Sequence, residues 1–134
     1  MPHPDNPRET PALSSRRIGE IGEGLARHHL EAKGYRVVAA NYRCRWGEVD
    51  LIARDGLEWV FVEVRTRRSG AYGGPEESLT ETKKQHLALA AQDYLQEAGQ
   101  AAADAQWRID LVAIRLGSNR RVLSINHLEN IVEA

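Results

Sequence analysis

Three carboxylates within one short stretch have the residue types and the spacing of a divalent-metal site. Glu48 and Asp50 lie two residues apart in the run EVDLIA, and Glu63 lies in the run EWVFVEVRT. Mg²⁺ prefers oxygen ligands, usually one or two carboxylates with water or phosphate completing an octahedron. The three acids can act together only if the chain folds so that their side chains meet.

A β-hairpin is the element that would bring these acids together. Residues 48–53 and 58–66 are rich in valine, isoleucine and aromatic residues, which favour strands. Asp55-Gly56 lies between them, and Asp-Gly is a strong hairpin signal. Strands that pair across this turn would place the acids at neighbouring positions.

The length of the hairpin loop sets the register of the two strands. A two-residue loop at Asp55-Gly56 pairs Glu48 with Glu63, whereas a four-residue loop pairs Asp50 with Glu63. Because side chains alternate along a strand, either even-length loop gives one charged face and one apolar face. The charged face would hold Glu48, Asp50, Glu63 and Arg65, and the apolar face would hold Val49, Leu51, Ala53, Val60, Val62 and Val64. An odd-length loop would bury charge among the valines, so we exclude it.

Two explanations are open for several acids on one sheet face. Like charges at neighbouring positions destabilise a sheet, and the apolar side chains of Ile52 and Phe61 on the same face make unpaired charge costlier. A divalent cation would relieve this repulsion. Ion pairs with Arg65, Arg67 or Lys83 would relieve it without a metal.

Arginines cluster beside the predicted hairpin. They are Arg43 and Arg45, next to Trp46, and then Arg65, Arg67 and Arg68. Arginine beside an aromatic residue suits phosphate contact and base stacking, although a solvated rim is the alternative. The formal net charge is −1 at pH 7, so nucleic-acid binding would depend on this local patch and not on overall charge.

The whole chain has the pattern of an α/β protein. We predict a flexible arm over residues 1–13, which hold four of the five prolines, and a single domain over residues 14–134. Helices are predicted at about 14–33 and 79–98, and strands at 35–40, 48–53, 58–66, 107–116 and 122–126, with a flexible loop at 69–75 and a short helical turn from His127. The order α-β-β-β-α-β-β favours a mixed sheet with helices on its faces.

Glycines and a charged pair add two structural expectations. Gly22 and Gly24 are poor helix formers inside the first predicted helix, which indicates close packing or close approach of a ligand. Arg108 and Asp110 share a strand face and are predicted to form an ion pair that supports the sheet.

The composition also restricts the compartment and the kind of site. Cys44 is the only cysteine, so an intrachain disulfide and a four-cysteine zinc site are excluded. No apolar stretch has the length of a membrane span, and the start has no signal-peptide pattern. We therefore expect a cytoplasmic protein with no membrane partner.

Several short motifs together resemble the YraN-like family of bacterial proteins, UPF0102. They are Gly19-x-x-Gly22-Glu23-x-x-Ala26, Gly34-Tyr35, Asn41-Tyr42-Arg43, Gly47-Glu48-Val49-Asp50-Leu51-Ile52-Ala53 and Phe61-Val62-Glu63-Val64-Arg65-x-Arg67, with Lys83, Arg108-x-Asp110 and Ile125 to Asn130 in agreement. The motifs follow in order over about residues 16–131. The family is assigned to the restriction-endonuclease-like, or PD-(D/E)xK, superfamily, so the resemblance implies an α-β-β-β-α-β core with a mixed central sheet flanked by helices.

The resemblance also implies a function. Proteins of this kind are expected to be Mg²⁺- or Mn²⁺-dependent endonucleases, here with branched or single-stranded DNA as the substrate. Asp50 and Glu63 would bind the metal, and Glu48 and Glu23 would complete or orient its ligands. A homodimer is a further expectation, since dimers are common in the superfamily.

Arg65 departs from the superfamily pattern, which normally has lysine at this position. Arginine stays protonated and cannot act as a base, but it can stabilise charge on a phosphate in the transition state. Lys83, early in the second predicted helix, is the candidate to replace the missing lysine. If cleavage is lost, the alternatives are a non-catalytic nucleic-acid-binding module on the same fold and a protein-interaction scaffold.

Overall fold

The computed structural model describes residues 14–68, 79–100 and 104–132. In chain order its elements are α1 (Ser15–Ala32), β1 (Arg36–Cys44), β2 (Gly47–Asp55), β3 (Glu58–Arg68), α2 (Glu81–Glu97), β4 (Trp107–Leu116) and β5 (Val122–Leu128), with a short 3-10 helix (Ser118–Arg120) before β5. The predicted order α-β-β-β-α-β-β is thus confirmed. The predicted arm at 1–13 and the loop at 69–75 lie outside the described residues. Within those residues, no helix is both long and apolar enough to cross a membrane.

A hydroxyl side chain begins each helix. The Ser14 side chain accepts a hydrogen bond from the backbone N–H of Arg17 at 3.1 Å, and Thr80 does the same for Lys83 at 3.1 Å. Such caps satisfy backbone N–H groups that have no partner within the first turn. Because Thr80 caps α2, that helix begins two residues later than predicted.

Five strands form one mixed sheet in the order β1-β2-β3-β4-β5. Every neighbouring pair is antiparallel except β3 and β4, which are parallel and are joined through α2. One apolar cluster packs α1 against the sheet, and a second packs α2 against it. We call the two faces of the sheet the α1 face and the α2 face. The prediction of a mixed sheet with helices on its faces is confirmed.

The β2–β3 hairpin has the register that places Asp50 opposite Glu63. Leu51 pairs with Val62, and the pairing continues to Asp55 and Glu58. The turn is therefore Gly56-Leu57. Of the two registers left open by the sequence, the one given by the four-residue loop is confirmed, although the loop itself is shorter, and the register of the two-residue loop at Asp55-Gly56 is wrong. Gly56 takes a φ of 62° at the first loop position, where glycine suits a tight hairpin turn.

One part of the predicted face pattern is also wrong. Leu51 lies in the α1-face cluster as expected, but Val49 lies in the α2-face cluster. The β2–β3 ladder is regular only from Leu51 onward, and the Asp50 side chain instead accepts the Val64 N–H. On the other side of β2, Asn41 has a φ of 54°. Strict alternation therefore fails at Asp50, because its side chain replaces a backbone partner.

Four of the five described strands extend further than predicted, β2 to Asp55 and β3 to Arg68 among them. β1 continues four residues past 40, to Cys44, and β5 continues to Leu128. The predicted helical turn from His127 is wrong, because His127 pairs with Val112 in the sheet. Its ring also contacts the buried Asp110 carboxylate, which holds this end of β5 on β4.

Candidate active site

Asp50 and Glu63 lie opposite each other in the β2–β3 hairpin, where each carboxyl group lies in the field of the other. Oδ2 of Asp50 also accepts the backbone N–H of Val64 at 2.8 Å. Glu63 is 5% exposed. Two carboxyl groups can share a hydrogen bond only if one of them holds a proton.

The pKa of Asp50 reflects this environment. Burial, followed by the hydrogen bond and the charge of Glu63, raises the pKa of Asp50 to about 8. The Val64 N–H and the charge of Lys83 oppose the rise. Ionisation of Asp50 is therefore disfavoured in the metal-free protein, because two ionised carboxylates side by side repel each other.

Two cations approach Glu63 without hydrogen-bonding to it. Nζ of Lys83 lies 3.5 Å from Oε2 of Glu63, and Nη2 of Arg65 lies 3.9 Å from the same oxygen. Among the described residues this buried oxygen has no hydrogen-bond partner. Buried polar atoms are nearly always hydrogen-bonded, so a carboxylate oxygen left in this state is suited to a ligand.

Glu23 lies within electrostatic reach of Asp50 and of Glu48. Burial, and then the charge of Asp50, raise the pKa of Glu23, while a hydrogen bond with the Asn41 side chain lowers it. The charge of Glu48 also acts on Glu23, and Oε2 of Glu48 lies 3.7 Å from Nε of Arg43. Asp50 and Glu63 thus lie side by side, and Glu23 lies near enough for the charges of Asp50 and Glu48 to act on it.

Sequence reasoning assigned no part in this site to Asn41. It lies in β1 between Ala40 and Tyr42, which pair with Leu51 and Val49 of β2, so it lies opposite Asp50. Its side chain holds Glu23. Asparagine tolerates a positive φ better than most residues, and this is the only local signal that the position is special.

Arg45 and Trp46 form the turn between β1 and β2. The Arg45 guanidinium lies over the Trp46 ring, 4.6 Å from its centroid. The centroids of Trp46 and His86 of α2 are 6.3 Å apart, and their ring planes meet at 40°. Arg45 is exposed, whereas Trp46 is half-buried against the α2-face cluster.

Arg67 and Arg68 lie apart from this turn, at the end of β3. Together with Arg65 they line a groove of about 380 Å³ against the first residues of α1. The groove wall on the helix is formed by Ser15, Ile18 and Gly19. The five residues predicted to bind nucleic acid therefore divide between two places.

Among the described residues, the group of three metal-type side chains whose ligand atoms lie close together is on the α1 side of β4, away from the hairpin acids. Ligand atoms of Asp110, His127 and Glu129 lie within 4.8 Å of one another. Arg108 already binds two of these groups, with Nε 3.0 Å from Asp110 Oδ1 and Nη2 3.2 Å from Glu129 Oε1. Nε2 of His127 lies 2.7 Å from Asp110 Oδ2, and Nζ of Lys33 lies 3.0 Å from His127 Nδ1. The predicted Arg108–Asp110 ion pair is confirmed, and its guanidinium occupies the place that a cation would take.

Comparison with known proteins places the chain in a family. Residues 22–114 match the profile described as Uncharacterised protein family UPF0102, and this range includes Glu23, the hairpin acids and Lys83. A UPF0102 protein of Caldicellulosiruptor saccharolyticus is 40% identical over 118 residues, which cover 88% of this chain and 98% of the relative. Relatives from Symbiobacterium thermophilum (46% over 108 residues, 81% of this chain and 90% of the relative) and Yersinia pseudotuberculosis (49% over 102 residues, 76% and 87%) match similarly. The chain therefore belongs to the UPF0102 family.

Proposed function

We propose that this protein is a Mg²⁺- or Mn²⁺-dependent endonuclease that acts on branched or single-stranded DNA. The observation that carries the proposal is the buried Asp50–Glu63 pair, in which Oε2 of Glu63 has no hydrogen-bond partner among the described residues. The α-β-β-β-α-β order and the mixed sheet agree with a restriction-endonuclease-like core and support that assignment.

The donor set fits a hard divalent cation. Asp50 and Glu63 offer carboxylate oxygens, with Glu48 and Glu23 nearby to complete or orient the ligands. A bound Mg²⁺ would supply positive charge that lowers the pKa of a water molecule and stabilises the leaving oxygen. The Val64 N–H holds Asp50 in place, and Asn41 holds Glu23.

Lys83 and Arg65 are the two cations beside Glu63, and we give them different roles in cleavage. Lys83 approaches Glu63 more closely than Arg65 does, at 3.5 Å against 3.9 Å. An ammonium group can orient a water molecule and exchange a proton with it, whereas a guanidinium stays protonated and is suited to holding a phosphate. We therefore assign orientation of the attacking water molecule to Lys83, and stabilisation of the negative charge on the phosphate to Arg65.

Cleavage of single-stranded, flap and junction DNA with Mg²⁺ or Mn²⁺ tests the site. We expect Asp50→Asn and Glu63→Gln each to lower the cleavage rate by roughly a hundredfold or more, because each removes a metal ligand. Asp55→Asn is the matched control, since this carboxyl lies at the far end of the same hairpin and is half-exposed. Equal cleavage by the wild type, Asp50→Asn and Glu63→Gln would contradict the proposal.

A second set of variants separates the two cations. We expect Lys83→Met to abolish most of the cleavage, while Lys84→Met, one residue along α2 and paired with Glu81, keeps it. Arg65→Lys should retain cleavage, since a lysine there keeps the positive charge beside Glu63. If Lys83→Met cleaves as fast as Lys84→Met, the assignment of the water to Lys83 is wrong.

A non-catalytic nucleic-acid-binding module is the second candidate, and Arg65 in place of the superfamily's lysine favours it. Such a module would bind DNA with an affinity that falls steeply as salt rises, without cleavage. We would then expect loss of binding when Arg43, Arg45 and Arg67 are changed together to glutamine. Salt-dependent binding with no detectable cleavage by the wild type would select this candidate over the endonuclease.

A further inference from the structure

The turn between β1 and β2 carries a shelf of flat side chains, which we call the Arg45–Trp46 shelf. The guanidinium of Arg45 covers the Trp46 ring at 4.6 Å, and His86 packs beside that ring. The half-buried Trp46 is anchored in the α2-face cluster, whereas Arg45 is exposed. The shelf therefore has a fixed base and a flat, charged outer surface.

Helix α2 connects this shelf to the acid pair. His86 follows Lys83 by three residues, so the two side chains are neighbours on one helix surface, with about 5–6 Å between their Cβ atoms. Nζ of Lys83 is 3.5 Å from Glu63, and His86 contacts Trp46. The residue that contacts the shelf and the residue that contacts Glu63 thus lie about one helical turn apart on α2.

Arg45 is available for a ligand. Its neighbour Arg43 lies within ion-pair distance of Glu48, but among the described residues Arg45 has no ion pair and no hydrogen bond, only its contact with Trp46. Guanidinium planes and aromatic rings are the groups on which proteins stack nucleic-acid bases. Bases inside a duplex are already stacked and paired, so only an unpaired base can use such a surface.

We propose that the Arg45–Trp46 shelf stacks an unpaired base of the substrate next to the acid pair, so that the protein prefers single-stranded segments to duplex. The inference rests on the proposed function, because it assumes that a nucleic-acid strand reaches the acid pair. The proposal restricts the substrate class to strands that have an unpaired base near the phosphate to be cleaved. The proposal also gives Arg45 a stacking role, which depends on the flat shape of its guanidinium group as well as on its charge.

Binding measured by fluorescence anisotropy without divalent metal separates stacking from charge. The probes are a labelled oligo(dT), an abasic strand with the same number of phosphates, and a duplex of the same length. Arg45→Lys keeps the charge and removes the plane. We expect it to weaken oligo(dT) binding by about fivefold or more and to leave binding of the abasic strand unchanged.

Arg36→Lys is the matched control, because Arg36 is exposed at the opposite end of β1, and we expect it to bind all three probes as the wild type does. Trp46→Leu keeps an apolar side chain in the cluster and should weaken oligo(dT) binding at least as much as Arg45→Lys. Three results would each overturn the stacking proposal. They are an equal loss of affinity for oligo(dT) and for the abasic strand, a duplex bound as tightly as oligo(dT), and no binding of any probe.

The cleavage assay keeps the two proposals distinguishable. Base-dependent binding by a protein that cleaves nothing would support the shelf and reject the endonuclease. Metal-dependent cleavage with no effect of Arg45→Lys on oligo(dT) binding would keep the endonuclease and overturn the shelf.

Discussion

The fold favours the protonated form of Asp50, whereas an aspartate in water is ionised at neutral pH. Burial and the neighbouring Glu63 raise its pKa to about 8, compared with 3.8 for an ordinary aspartate. The folded protein therefore binds this proton more tightly than the unfolded chain does. The contribution to stability is fully present below about pH 4 and is lost as the pH rises towards about 8. A divalent cation that displaces the proton would remove the penalty at high pH.

Asp50→Asn should make the metal-free protein more stable at high pH. The amide resembles the protonated acid and carries no charge to be desolvated. In thermal unfolding with EDTA, we expect Tm to rise by roughly 5 °C or more at about pH 8.5 and to change little at about pH 4. Asp55→Asn, at an exposed carboxyl, should show no such pH dependence. A Tm change for Asp50→Asn that is the same at both pH values would show that Asp50 is not protonated in the folded state.

At the scale of elements, the packing of α1 on β3 decides where Glu23 lies. Nothing in the local sequence distinguishes Gly22 from Gly24, whereas the structure shows different surroundings for the two. A Cβ at Gly22 would lie 1.8 Å from Oγ1 of Thr66 in β3, whereas a Cβ at Gly24 would have nothing within 4 Å. Gly22 therefore allows the helix to approach the strand closely, and it places the neighbouring Glu23 near the acid pair.

Gly22→Ala and Gly24→Ala should have opposite effects on stability. Because Gly22→Ala forces the helix away from Thr66, we expect it to lower the free energy of unfolding by about 1–3 kcal/mol. Gly24→Ala improves helix propensity at an exposed position and should raise that free energy by up to about 1 kcal/mol. Urea unfolding measures both. Similar changes for the two variants would contradict the close contact, and Thr66→Ala should partly restore Gly22→Ala.

At the scale of the whole molecule, one polar network on the α1 side ties distant segments together. Arg108 of β4 binds Glu58 of β3, Asp110 and Glu129. The buried Asp110 also accepts hydrogen bonds from the backbone of Asn130 and contacts His127 of β5. Burial would raise the pKa of Asp110, but its hydrogen bonds and Arg108 together lower it. The resulting stability is present above the ordinary pKa of an aspartate and is lost as the pH falls through the lowered value.

Asp110→Ala should be strongly destabilising. It leaves the Arg108 guanidinium without its buried partner, and removing one member of a buried ion pair costs about 3–5 kcal/mol. Asp55→Ala is the control, since Asp55 is a half-exposed partner of the same guanidinium and should cost less than about 1 kcal/mol. Urea unfolding at about pH 7 measures both losses. Equal effects of the two variants would show that the network does not depend on its buried acid.

The helices and strands, their order and the β2–β3 hairpin follow from local signals along the chain. The β-branched and aromatic composition of the strands and the Asp-Gly pair are such local signals, and the two helices and five strands predicted are present among the described residues. Alternation along two strands also brought Asp50 to Glu63, because residues joined by a short turn have few possible registers.

The surroundings of the Asp50–Glu63 pair depend on tertiary contacts and could not be read from the sequence. Three interactions join a helix to the sheet or to the β1–β2 turn: Lys83 with Glu63, Glu23 with Asn41, and His86 with Trp46. Each depends on how the helix packs on the sheet, which local sequence patterns do not specify. The side of the sheet on which Val49 lies was also decided there, because the Asp50 side chain takes a backbone hydrogen bond that periodicity does not encode. Asp50 and Glu63 are thus neighbours through local pairing, whereas the cations beside Glu63 and the approach of Glu23 arise from contacts between distant parts of the chain.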